Sequence, residues 1–183
     1  CDVEDNLCVK AFRLMQQSFN VGNVYMHLRK NIPMGAGLGG GSADAAYVIR
    51  GINELFNLNL GNEKMKEIAS RLGSDCPFFI ENEPQIANGR GDILSEIDIE
   101  LSNYYVKLVN PGMHVGTKDA YAGVKFSGEI IALRGLLRQP IEIWKHTLEN
   151  DFEASIILSN PVIGEIKNQL YEEGAIYASM SGS

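Results

Sequence analysis

The chain has 183 residues, 45% hydrophobic and 21% charged, with a formal net charge of −7 and a pI near 5.0. That length supports one substantial core or two small ones, and an acidic chain whose 16 Lys and Arg residues are scattered argues against a nucleic-acid partner. No apolar run nears the ~20 residues of a membrane span and no leader-like segment opens the chain, so a cytoplasmic protein with no membrane partner is expected. Cysteines 1, 8 and 76 have no metal-ligand spacing and read as reduced thiols.

Asp5–Gln17 is predicted helical, with Leu7, Ala11, Leu14 and Met15 at helical spacing and Asp5 or Asn6 as cap. Val21–Leu28 is expected as a strand with Val24, Met26 and Leu28 on one face. A glycine run follows, and Ser42 is expected to cap a helix from Ala43 to about Phe56. Its buried stripe would be Ala45, Val48, Ile49, Ile52, Leu55 and Phe56, with close packing at Gly51. Asn62 is expected to cap a helix carrying Met65, Ile68, Ala69 and Leu72, with Gly73 as its C′ residue. Phe78–Ile80 is predicted as a short strand, and weak strand signals flank the turn Asn88-Gly89-Arg90-Gly91.

A domain boundary is expected near Asp98–Asn103, followed by a strand at Tyr104–Val109. A short helix is predicted from Thr117 to Val124, and further helices over Ile141–Leu148 and Pro161–Glu173. The last has Pro161 in its first turn, Ile163, Ile166 and Leu170 inward and Gly174 as its stop. Ala175–Met180 reads as a strand. The mixture predicts an α+β protein of two small domains, residues 1–98 and 99–183. The chain starts without Met and stops in a glycine turn, Ser181-Gly182-Ser183, so both ends are expected to be cut from a longer protein.

The strongest signal is Pro33-Met34-Gly35-Ala36-Gly37-Leu38-Gly39-Gly40-Gly41-Ser42-Ala43, where five of the seven residues from Gly35 to Gly41 are glycine and a helix begins at once. Backbone without side chains closes around a ligand, and free N–H groups at a helix start favour an anion, so a nucleoside triphosphate is the expected guest. A Walker A loop is excluded because no lysine lies between Lys30 and Lys64. The spacing of Gly35, Gly37 and Gly40 satisfies the dinucleotide fingerprint. Arg29–Pro33 intervenes before the first glycine, however, and no second strand ends in an acidic residue twenty positions on.

The loop resembles that of the GHMP kinases. Asp5–Ala11, Gly73-Ser74-Asp75-Cys76-Pro77-Phe78-Phe79, and Asn110-Pro111-Gly112 through Thr117 to Tyr121 are similar to the branch acting on 4-diphosphocytidyl-2-C-methyl-D-erythritol. The resemblance covers nearly the whole chain and implies a GHMP-kinase-like two-domain fold, incomplete here. It implies transfer of the ATP γ-phosphate to the 2-hydroxyl of that cytidine diphosphate substrate, in non-mevalonate isoprenoid precursor synthesis, with Mg²⁺ as cofactor. Pro33, Met34, Gly35, Ala36, Gly37, Leu38, Gly39, Gly40, Gly41, Ser42 and Ala43 would wrap the triphosphate, and Asn6, Leu7, Lys30 and Met34 would line the adenine pocket. Asp44 would lie near the nucleotide and Ser42 would touch the metal. Asp75 would be the catalytic base, a position that bare sequence reads as a cap or turn residue. Thr117 and Tyr121 would meet the substrate, Tyr121 by stacking on cytosine. The family's paired lysine would precede Cys1, so the activity is assigned to the longer protein and this piece alone is expected to be inactive.

Three alternatives stay open. One is another GHMP kinase, of the homoserine or mevalonate type; the second is a non-catalytic nucleotide-binding member of the fold; the third is a redox enzyme, which would bind a nicotinamide cofactor. Oligomeric state is not readable. Arg90-Gly91-Asp92 reads as a hairpin turn, and His27, His114 and His146 are too isolated for a metal site. Trp144 reads as core and Cys76 as a small buried filler. Lys125, Arg134, Arg138 and Lys145 read as a solvated face.

Overall fold

The computed structural model describes residues 3–113, 120–121, 123–124 and 133–182. The chain forms two compact units, Cys1–Met34 with Gly39–Asp98, and Gly35–Leu38 with Ile99–Ser183.

In the first unit a short 3-10 turn, Val3–Asp5, leads into α1, Leu7–Ser18. Asn6 caps α1, its carboxamide oxygen accepting the Cys8 N–H at 2.9 Å. The apolar face Ala11, Leu14 and Met15 packs on α2, Gly40–Leu55, through Ala45, Ala46, Ile49 and Ile52, and Met15 and Ile49 are fully enclosed. Helix α3, Asn62–Ser70, adds Met65, Ile68 and Ala69 to the same core. The α2–α3 link is held by Asn53, whose amide donates to Leu60 O at 3.2 Å and whose oxygen accepts from Leu60 N at 2.9 Å. Then come α4, Phe78–Glu81, and a hairpin of β1, Gln85–Asn88, and β2, Ile93–Glu96, with Ile86 opposite Ser95 and Ala87 opposite Leu94. Lys66 bridges Glu63 and Glu81, tying α3 to α4.

The second unit contains α5, Leu133–Leu137, α6, Ile141–Thr147, α7, Glu153–Ser159, and α8, Pro161–Glu172. Trp144 is buried, meets Tyr177 edge-on at 5.8 Å and donates its indole N–H to Gln139 O at 3.1 Å. Gly174, at φ 97°, follows the end of α8. Arg138 and Lys145 are exposed as expected, with the Lys145 ammonium 4.4 Å from the centre of the Tyr171 ring.

The mixed α+β class is as expected, but several local readings are corrected. Val21–Leu28, Tyr104–Val109 and Ala175–Met180 form no strand, and β1 and β2 are the single pair of strands among the described residues. An apolar run becomes a strand only where a neighbour completes its ladder. Met26 and Leu28 are exposed rather than aligned with half-buried Val24. Phe78–Ile80 is helical: Pro77 suits a helix start, and Asn82, left-handed at φ 59°, stops the turn.

The start of α2 is Gly39, not Ser42, because the left-handed glycine already turns the chain into the helix. Gly61 rather than Asn62 precedes α3, which ends at Arg71 with no left-handed Gly73. Leu55 is exposed, and nothing lies within 4 Å of a Cβ built on Gly51, so the close packing expected there is absent. Helices α5 and α7 were not expected at all.

Candidate active site

In the first unit the site is built around the N-terminus of α2. Gly39 is left-handed at φ 62°, and Ala43 N–H to Gly39 O at 2.9 Å is the first bond of the helix. The N–H groups of Gly40, Gly41 and Ser42 therefore have no carbonyl of their own helix to meet, and Gly39 at the N-cap has no side chain to cap them. With the positive end of the helix dipole they attract an anion. A Cβ on Gly39 would lie 2.8 Å from the Phe79 ring, and one on Gly41 would lie 3.5 Å from Leu7 Cδ1. Glycine at these positions lets α1 and α4 press against the turn.

Lys30 and Asp44 form an ion pair beside this turn, and a Cβ on Gly40 would lie 3.5 Å from the Lys30 ammonium. Asp44, expected near the nucleotide, thus holds a cation over the first turn of α2. Cys8 lies beneath the pair. Burial, and secondarily the Asp44 carboxylate, push its thiol up.

Asp75 is exposed and accepts a hydrogen bond from Ser74 Oγ at 3.1 Å. The next residue, Cys76, is fully buried, with Ser42 close enough to act on its thiol. Burial pushes the Cys76 thiol up, Ser42 opposes this and Asp75 reinforces it. Ser42, in the first turn of α2, thus comes close to the segment that carries Asp75. The hairpin tip also comes to Asp75, since a Cβ on Gly91 would stand 3.9 Å from Asp75 Oδ1. Within this unit the fold therefore gathers Leu7, Lys30, Gly39–Asp44 and Asp75. Pro33 and Met34 are exposed.

In the second unit Gly35 and Gly37 are left-handed at φ 72° and 70°. Ser181 Oγ donates to Gly37 O at 2.7 Å, and a Cβ on Gly37 would fall 2.2 Å from Ser181 O. Sequence reasoning missed this backing of one glycine segment by another; the Ser-Gly pair after an apolar stretch was the available signal. Tyr121 is largely exposed, with its ring edge-on to Phe152 at 4.9 Å. Thr117 and His114 lie outside the described residues.

Comparisons with known proteins give the family. The family model described as the GHMP kinases N terminal domain matches residues 6–83. A relative from Azobacteroides pseudotrichonymphae named 4-diphosphocytidyl-2-C-methyl-D-erythritol kinase is 45% identical, over all of this chain and 69% of its own length. One of the same name from Bacteroides fragilis is 49% identical, over 98% of this chain and 66% of its length. The crystal structure of a 4-(cytidine 5'-diphospho)-2C-methyl-D-erythritol kinase, 27% identical, matches with a TM-score of 0.78 over 99% of this chain and 67% of that one.

The chain belongs to the GHMP kinase family, on the branch whose members are named 4-diphosphocytidyl-2-C-methyl-D-erythritol kinase. It spans about two thirds of the length of these curated relatives.

Proposed function

We propose that the protein is an ATP-dependent kinase that phosphorylates the 2-hydroxyl of 4-diphosphocytidyl-2-C-methyl-D-erythritol in the cytoplasm, with residues 1–98 as nucleotide domain and 99–183 as substrate-side domain. The observation that carries it is the N-terminus of α2 at Gly39–Ser42, where main-chain N–H groups start a helix behind a glycine, with Cys76, the neighbour of Asp75, close to Ser42. Phosphoryl transfer needs little covalent chemistry from the protein, so an anion cradle and one directed carboxylate supply its main demands.

Pro33–Ala43 wrap the triphosphate, which the main-chain N–H groups of Gly40–Ser42 hold, and Lys30 adds positive charge beside Gly40. Asn6 and Leu7, at the start of α1, border the nucleotide. Asp75 accepts the proton of the attacking hydroxyl; its exposure leaves it reachable by the acceptor. Thr117 and Tyr121 serve the substrate, the free face of Tyr121 stacking on cytosine while its edge contact with Phe152 steadies the ring.

Among the described residues no three His, Cys, Asp or Glu side chains form a metal cluster. The residues fit a Mg²⁺ that arrives on the nucleotide phosphates and takes one or two protein oxygens, with Ser42 Oγ as the donor. When bound it would neutralise phosphate charge.

The test is an ADP-release assay on the full-length protein with this acceptor, wild type beside Asp75→Ala. The expected result is acceptor-dependent turnover that falls by about 10²-fold or more in the variant while ATP still binds. Turnover with homoserine or mevalonate instead would replace the acceptor. ATP binding with no turnover of any acceptor would favour a nucleotide-binding module.

A further inference from the structure

Glu153 is the one buried charged residue among those described in the second unit. Both its carboxylate oxygens are engaged: Oε1 accepts the Met180 N–H and Oε2 accepts the Lys167 ammonium. Three residues earlier, Asn150 donates from Nδ2 to Met180 O at 3.0 Å and to Gly182 O at 2.9 Å, and its own oxygen is fixed by Phe152 N at 2.9 Å. These two side chains grip the Met180–Gly182 backbone from both its donor and its acceptor sides. No ladder does so, because that segment is not part of a sheet. The gripped segment in turn fixes Gly37, through Ser181 Oγ to Gly37 O at 2.7 Å and through Gly182, where a Cβ would meet Gly37 Cα at 3.0 Å.

We propose that Glu153 and Asn150 are positioning residues for the nucleotide loop, acting through Met180–Gly182 on Gly37. The proposal rests on the reading of Gly35–Gly41 as the triphosphate loop. A buried ion pair is commonly no more stable than apolar residues of the same volume. Its use here is directional: Glu153 holds the Met180 N–H, and the backbone so fixed sets the Ser181 hydroxyl against the Gly37 carbonyl. Glycine at 35 and 37 makes the loop permissive, so its shape must be imposed from outside.

The experiment uses the full-length protein and measures KM and Kd for ATP, kcat, thermal stability and hydrogen exchange of the 35–39 peptide. Glu153→Ala is expected to raise KM and Kd for ATP about tenfold, with kcat within about threefold and faster exchange at 35–39. The paired change Glu153→Gln with Lys167→Met keeps an acceptor for Met180 N–H and leaves no unpaired ammonium, and is expected within about threefold of wild type. Ile156→Ala, a cavity in α7 away from this contact, is expected to lower stability and leave ATP affinity unchanged. If Glu153→Ala does not fold, Asn150→Ser carries the same test.

The proposal is overturned if wild type binds ATP and the Glu153 and Asn150 variants bind it equally well. It is overturned too if Ile156→Ala raises KM as much, since the effect is then one of stability alone. Wild type that binds no ATP would overturn the kinase reading itself, an outcome distinct from both.

Discussion

Replacing Gly39 by alanine concentrates two physical effects at one atom. The residue sits at φ 62°, where an L side chain meets the carbonyl that follows and costs about 1–2 kcal/mol. The new Cβ would stand 2.8 and 2.9 Å from Phe79 Cζ and Cε2. That ring packs against the core and meets Phe78 edge-on at 4.9 Å, so it has little room to retreat, and overpacking of this kind costs about 1–3 kcal/mol. The two together predict a loss of about 2–5 kcal/mol in urea unfolding. The same shift moves the N–H groups of Gly40–Ser42, so ATP affinity should fall at least about tenfold by titration calorimetry.

Gly51→Ala is the internal comparison. It lies in the same helix with no positive φ and nothing within 4 Å of a Cβ, and should stabilise by about 0.5–1 kcal/mol. The reasoning is refuted if Gly39→Ala unfolds like wild type and binds ATP as well, or if the two variants lose stability equally.

Two further outcomes test the packing of the first unit. The Lys66 ammonium holds the Glu81 carboxyl below its usual range, so this contribution is complete above about pH 4.3, the ordinary Glu value, and disappears as pH falls through the lowered one. Glu81→Gln should lower stability by about 1 kcal/mol at neutral pH and flatten the decline of melting temperature under acid; an unchanged acid profile would deny the bridge its role. Cys76 is fully enclosed and burial raises its thiol, so it stays protonated at neutral pH. Alkylation of native protein, mapped by mass spectrometry, should be at least about 100-fold slower there than in the unfolded chain, and rapid native labelling would contradict the enclosure.

Helices α1, α2, α3, α6 and α8 were legible because their signals are local. Asn6 caps α1, Leu14 and Met15 face the core, Pro161 opens α8, and Gly174 follows its end, each determined by residues within a turn or two. The glycine run and the Ser-Asp-Cys-Pro stretch were likewise readable as chemistry and led to the family that the comparisons show. Strands were not legible in the same way. Val21–Leu28 and Tyr104–Val109 carry apolar residues suited to a sheet, yet a strand exists only where a distant segment meets its N–H and C=O groups.

The sequence by itself determined helices α1, α2 and α3 of the core, the glycine-rich turn before α2 and the family the chain belongs to. Only the tertiary structure decided that Gly39 rather than Ser42 starts α2, that Gly51 faces open space, that Cys76, the neighbour of Asp75, lies close to Ser42, and that residues 150 and 153 hold 180–182 against Gly37. Those contacts join positions about 30 to 144 residues apart, and no periodicity or cap encodes them, because they depend on where the helices come to rest.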